Sequence, residues 1–135
     1  MQYMLLIYGE GPMSNRSPED FQKGMQAHRA LMEETTKRGI LLSANPLRPS
    51  VTAKTVRTES SGKQTVTDGP FTETKEQLAG YYLLECKDID EALAYAARIP
   101  VRCAGGNVGG VEVRPLLPFV EIQQYFETLC AEQSA

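Results

Sequence analysis

Apolar side chains crowd two short runs, residues 2–8 and 81–86, and in neither do they alternate with polar ones. In the first run Tyr3, Leu5 and Ile7 make one face and Met4, Leu6 and Tyr8 the other. In the second, Tyr81 and Leu83 oppose Tyr82, Leu84 and Cys86. Short runs rich in aromatic and branched residues predict strands, here apolar on both sides. Between them the period changes. Phe21, Met25, His28, Leu31, Met32 and Thr35 recur at helical spacing and predict a helix whose stripe faces a sheet. Ser17 as N-cap, Pro18 at N1, Asp20 at N3 and Gly39 at C′ after Arg38 mark its ends.

Turn and cap signals give the remaining elements. Residues 40–44 predict a second strand. Residues 52–58 and 63–67, rich in Thr and Val, predict a hairpin around Glu59-Ser-Ser-Gly62. Asp68-Gly69-Pro70 is a sharp turn just past its second arm, because Gly69 accepts positive φ and Pro70 stiffens the backbone after it. Thr74 and Gln77 have capping-box spacing and predict a short helical cap ended by Gly80. Asp88, with Glu91 at N3, caps a second helix carrying Ile89, Leu93, Ala96 and Ala97 on one side, and Pro100 stops it. A glycine-rich loop spans 101–110, and 111–114 predicts a last strand. Phe119, Ile122, Phe126 and Leu129 predict a terminal amphipathic helix over 119–131.

Strand, helix, strand, hairpin, strand, helix, strand is a split βαβ order: an α+β chain with an antiparallel sheet and an inserted hairpin. It divides into a domain of residues 1–117 and a terminal helix with its tail, 118–135. Two helices shelter one sheet face. One apolar set from each doubly apolar strand, Tyr3, Leu5 and Ile7 with Tyr81 and Leu83 or the opposite set, then lies bare. A second copy on a two-fold axis would cover it, and so would the terminal helix.

Composition narrows the function classes. The chain has 135 residues and net charge −3, with no clustered basic patch, which argues against nucleic acid as partner. No apolar stretch is long enough for a bilayer and the N-terminus does not read as a signal peptide, so a cytoplasmic protein is expected. Three cysteines, at 86, 103 and 130, are too scattered for a disulfide framework or a zinc site. Cys86 and Cys130 read as buried small hydrophobes. Residues 105–110 lack the lysine and helix of a phosphate loop. One histidine in the chain precludes a multi-histidine metal site within it, so neither metal nor cofactor is expected.

His28 sits on the helical stripe, where a neutral imidazole can serve as base or acid near neutrality or simply satisfy one structural hydrogen bond. Asp68 is held on stiff backbone and can orient His28, or bond the backbone of its own turn. Glu73 and Lys75 flank the predicted cap and can line a substrate pocket or form a solvated ion pair. Arg114, at the end of the last strand, can clamp an anionic substrate or pair with a surface carboxylate. Tyr8, Tyr81 and Tyr82 read as core.

The run DGPFTETKEQLAGYYLLE from Asp68, with the opening MQYMLLIY and the VEVRP that ends at Pro115, resembles the signature of the YCII-related, or DGPF-domain, family over about residues 1–117. The resemblance implies a ferredoxin-like fold that pairs into a dimeric α/β barrel. It also implies cofactor-free acid–base work of isomerase or lyase type by a His and an Asp, here His28 and Asp68, on a small organic molecule. A non-catalytic alternative is implied as well: a ligand sensor or accessory protein associated with a sigma factor.

Overall fold

A computed structural model describes residues 1–10, 16–101 and 109–134. Six strands and three helices run in the order β1 (Gln2–Glu10), α1 (Pro18–Lys37), β2 (Leu41–Pro46), β3 (Lys54–Thr58), β4 (Gln64–Asp68), β5 (Glu76–Glu85), α2 (Ile89–Ala96), β6 (Gly110–Pro115) and α3 (Ile122–Ser134). Four strands form one antiparallel sheet in the order β2-β5-β1-β6, while β3 and β4 form a separate hairpin. The order and the two crossover helices are those of a ferredoxin-like α+β fold. Most of the expected loop 101–110 lies outside the described residues, Cys103 with it.

The local signals at α1 act as expected. The Asp20 N–H donates to Ser17 Oγ at 3.1 Å, Pro18 opens the helix, and Gly39 takes φ +70° beyond the Arg38 C-cap. Asp88 likewise accepts from the Glu91 N–H at 2.9 Å to start α2. The buried stripe of α1 is rotated slightly from the expected one. Gly24, Leu31 and Thr35 are buried, with Phe21 and His28 half-buried, while Met25 and Met32 are exposed at its edge. Thr35 is fully buried at no polar cost, since its hydroxyl donates to Leu31 O at 2.8 Å.

The predicted cap at Thr74–Gln77 does not form. β1 runs on to Glu10, and its last residues pair Gly9 with Gln77 and Glu10 with Glu76, so Glu76 and Gln77 become strand. The Thr74 hydroxyl donates to Glu76 O, and Gln77 Nε2 donates to Thr74 O at 3.2 Å. Ladder pairing overrides a weak local helix preference. Gly80, expected to stop a helix, lies within β5 beside a bulge at Ala79, where the register passes from Ile7–Gly80 to Tyr8–Leu78.

Register decides the two faces. Tyr3 opposes Leu84 and Leu5 opposes Tyr82, so these four share the helix side with Leu31, Ala92, Tyr95, Ala96 and Ile99. On the other side Met4 opposes Leu83 and Leu6 opposes Tyr81. The bare set is therefore Met4, Leu6 and Tyr8 with Tyr81 and Leu83, a different combination from either expected one. Each of these side chains is half-buried, by its neighbours on the face. α3 does not shelter them: every residue from Leu117 to Ser134 is exposed, including Phe119 at 87% and Phe126 at 62%. Cys130, expected to be buried, is exposed with the rest of that helix.

A Cβ on Gly80 would stand 2.9 Å from Asn45 O and 3.1 Å from Pro46 Cα, both backbone atoms of β2. Gly80→Ala must push β2 away from β5. It is expected to destabilise by about 1–3 kcal/mol and to lower the melting temperature by several degrees in a thermal scan; an unchanged midpoint would show that β2 yields freely.

Candidate functional site: a histidine–tyrosine pair beneath α1

His28, on the inner face of α1, meets Tyr82 of β5. Nδ1 lies 2.7 Å from the Tyr82 hydroxyl, and the rings stack with centroids 5.9 Å apart and planes inclined by 17°. Tyr82 is 3% exposed and burial pushes its phenol up to about 12, so it keeps its proton at any ordinary pH. Its hydroxyl has no other partner among the described residues, so a buried phenol proton has one acceptor available: Nδ1. The hydrogen-bond network thus assigns His28 the tautomer with hydrogen on Nε2.

The imidazole is held neutral. Burial lowers its pKa first, and the guanidinium of Arg16 lowers it further. Arg16 reaches this position by lying over Gly24, one turn before His28. A Cβ at residue 24 would stand 3.2 Å from Arg16 Nη2, which also donates to Asp20 O at 3.3 Å. A neutral Nε2–H donor with a cation nearby suits an oxygen acceptor such as a carbonyl, enolate or carboxylate.

The other expected site residues stand elsewhere. Asp68 ends β4 directly opposite Lys54, and the two form an ion pair on the exposed hairpin. Its carboxylate bonds neither its own turn nor His28. Glu73 and Lys75 line a groove of about 480 Å³ at the base of the hairpin, with Gly69, Pro70, Thr74 and Gln77 on one side and Ser50 and Val51 on the other. No ion pair joins them among the described residues. Arg114 lies on the open sheet face opposite Met4, 3.7 Å from Glu112. The five candidates thus fall into four places rather than one.

Sequence reasoning misses Tyr82 and Arg16. Tyr82 reads as core along the chain; the signal available is that a buried tyrosine needs a partner for its hydroxyl. Arg16 carries no signal, since only the fold of the α1 entry brings it back over Gly24. Cys86 offers no nucleophile: burial first, then the Glu91 carboxylate, push its thiol up to about 11. No group of three His, Cys, Asp or Glu side chains among the described residues could hold a metal ion.

The YCII-related domain matches residues 1–120. An uncharacterized protein of Rhizobium meliloti (strain 1021) is 38% identical over 117 residues, which cover 86% of this chain and 92% of that protein.

Because the folded-state pKa of His28 lies below 6.5, the unfolded chain takes up the proton first. The stabilisation is complete above pH 6.5 and is lost as pH falls below it, until the folded-state value is passed. Chemical denaturation at about pH 5 and pH 8 should show a larger pH dependence for the wild type than for His28→Asn. Equal dependence in both would mean that the imidazole is not held neutral.

Proposed function

The chain belongs to the YCII-related family, and on that premise we propose that it is a cytoplasmic homodimer that binds a small organic molecule between α1 and the sheet and acts on it by cofactor-free acid–base chemistry of isomerase or lyase type. The observation that carries this reading is the 2.7 Å bond from the Tyr82 hydroxyl to His28 Nδ1, which leaves a neutral imidazole with Nε2–H to offer. In this role His28 donates to a substrate oxygen as negative charge develops on it, Tyr82 fixes the ring, and Arg16 favours an anionic or enolic form. The carbon proton is taken by a water molecule, and the ring keeps Nε2–H as the donor to the developing enolate oxygen. Asp68, salt-bridged to Lys54, does not orient the imidazole in this protomer.

That last fact favours a second reading. Without a carboxylate behind it, His28 is equipped to recognise an oxygen acceptor more than to cycle protons, as a ligand sensor or a sigma-factor-associated accessory protein would require.

The two readings separate by exchange of carbon-bound hydrogen in D₂O, monitored by NMR over a panel of enolisable ketones and lactones. Catalysis is expected to accelerate exchange for one class, and His28→Asn to slow it by roughly 10²–10⁴-fold. A ligand-dependent melting shift without exchange supports the sensor. Neither signal across the panel removes both.

The dimer rests on the open face. Met4, Leu6, Tyr8, Tyr81 and Leu83 form a contiguous half-buried patch that no helix among the described residues covers. Completing the burial of each such side chain is worth on the order of 1 kcal/mol. Sedimentation should show a dimer at micromolar concentration and a folded monomer for Leu83→Glu. A wild-type monomer throughout would exclude the homodimer.

A further inference from the structure

The inner stripe of α1 has a gap in it. Gly24, His28, Leu31 and Thr35 recur at helical spacing on the side that faces the sheet. Gly24 is buried, yet it brings no side chain of its own. The guanidinium of Arg16 occupies the space. A Cβ at residue 24 would meet Arg16 Nη2 at 3.2 Å, Nη1 at 3.5 Å and Cζ at 3.8 Å before any other atom. The cation therefore lies on the same side of α1 as the imidazole, one turn nearer the N-terminus, and close enough to help hold the ring neutral.

Arg16 stands apart from the other cations. Among the described residues every other Lys and Arg is exposed, and Arg16 is half-buried. Lys54, Arg98 and Arg114, though exposed, each have a carboxylate within ion-pair distance. Arg16 has none among the described residues, which include every Asp and Glu of the chain. Glu19 and Asp20 stand in the first turn of α1, but both face solvent. Nη2 donates to Asp20 O at 3.3 Å, which leaves most of the guanidinium's donors unused. A partly desolvated cation is costly to leave without a counter-charge, and the planar fork of arginine matches a carboxylate.

We infer, on the premise that the Nε2–H of His28 meets a substrate oxygen, that the substrate is a short oxo acid whose carboxylate sits on the Arg16 guanidinium while its enolisable carbonyl sits on His28. The two anchors are one helical turn apart, on the order of 5 Å along α1, so a short spacer separates the two groups of the substrate. Arg16 then selects the substrate by its charge. Gly24 is the position that admits this selection, because a larger side chain there would take the place of the guanidinium.

Levulinate, with two methylenes between carboxylate and ketone, is the probe. Valerate, which lacks the ketone, and methyl propyl ketone, which lacks the carboxylate, are its controls. The chain has one histidine, so the ring carbon–proton signals of His28 in the full ¹³C-labelled chain report binding directly by NMR. Levulinate should move them at lower concentration than either control. Arg16→Gln should weaken levulinate binding roughly tenfold, as expected for lost hydrogen bonds to a charged group, and leave methyl propyl ketone unchanged. Gly24→Leu, which keeps the cation but takes its place, should do the same; if it does not fold, Arg16→Gln alone decides. The proposal is overturned if levulinate leaves the ring signals unmoved, binds no better than methyl propyl ketone, or binds Arg16→Gln undiminished. Catalysed exchange on uncharged ketones without preference for the oxo acid would keep the acid–base reading and remove this one. Levulinate binding that Arg16→Gln weakens, with no exchange, would support this one and remove catalysis.

Discussion

Pairing of β1 with β5 is the constraint on which the other features rest. Nine residues of β1, Gln2 to Glu10, meet β5 from Glu85 back to Glu76. Because side chains alternate across a strand, this one register assigns every apolar residue of both strands to a face. It also draws Glu76 and Gln77 into a ladder, where their local signals favour a helix cap, and it needs a bulge at Ala79 to keep the alternation correct on both sides of Gly80.

One consequence is a pair of adjacent tyrosines with opposite chemistry. Tyr82 points toward α1, is buried, and its phenol is pushed up to about 12. Tyr81 points the other way, receives a hydrogen bond from Asn45 of β2 and shares another with Ser43, and its phenol is lowered. The side chains are the same and the positions consecutive, so the difference is entirely environmental: desolvation without a charged partner on one side, donors to the oxygen on the other. β5 thereby carries one polar contact into each face of the sheet, and each depends on a neighbouring element for its partner, His28 on α1 and Asn45 on β2.

Around this frame the helices are fastened by polar contacts at their ends. Arg98, just beyond α2, grips Glu34 of α1 with two bonds of 2.5 and 3.3 Å, and Arg38 donates to the Tyr95 hydroxyl. Glu34 has its pKa lowered by the Arg98 bond, but the pair is well exposed and screened, so its part is to set the relative position of α1 and α2 more than to add stability. That position matters, because α1 carries His28 to Tyr82.

The sequence by itself determined the element order, the α1 and α2 caps, the α+β class and the presence of a doubly apolar sheet. These depend on short-range periods and on side chains bonding backbone three residues away, as Ser17 and Asp88 do. It also singled out His28, because one titratable ring on an apolar stripe is conspicuous without coordinates. Only the tertiary structure decided which apolar sets share a face, that Glu76 and Gln77 extend a strand, that Asp68 answers to Lys54, and that Arg16, His28 and Tyr82 meet. Each of these joins residues distant along the chain or depends on strand register, and a shift of one residue in register, which leaves every local signal unchanged, would reverse them.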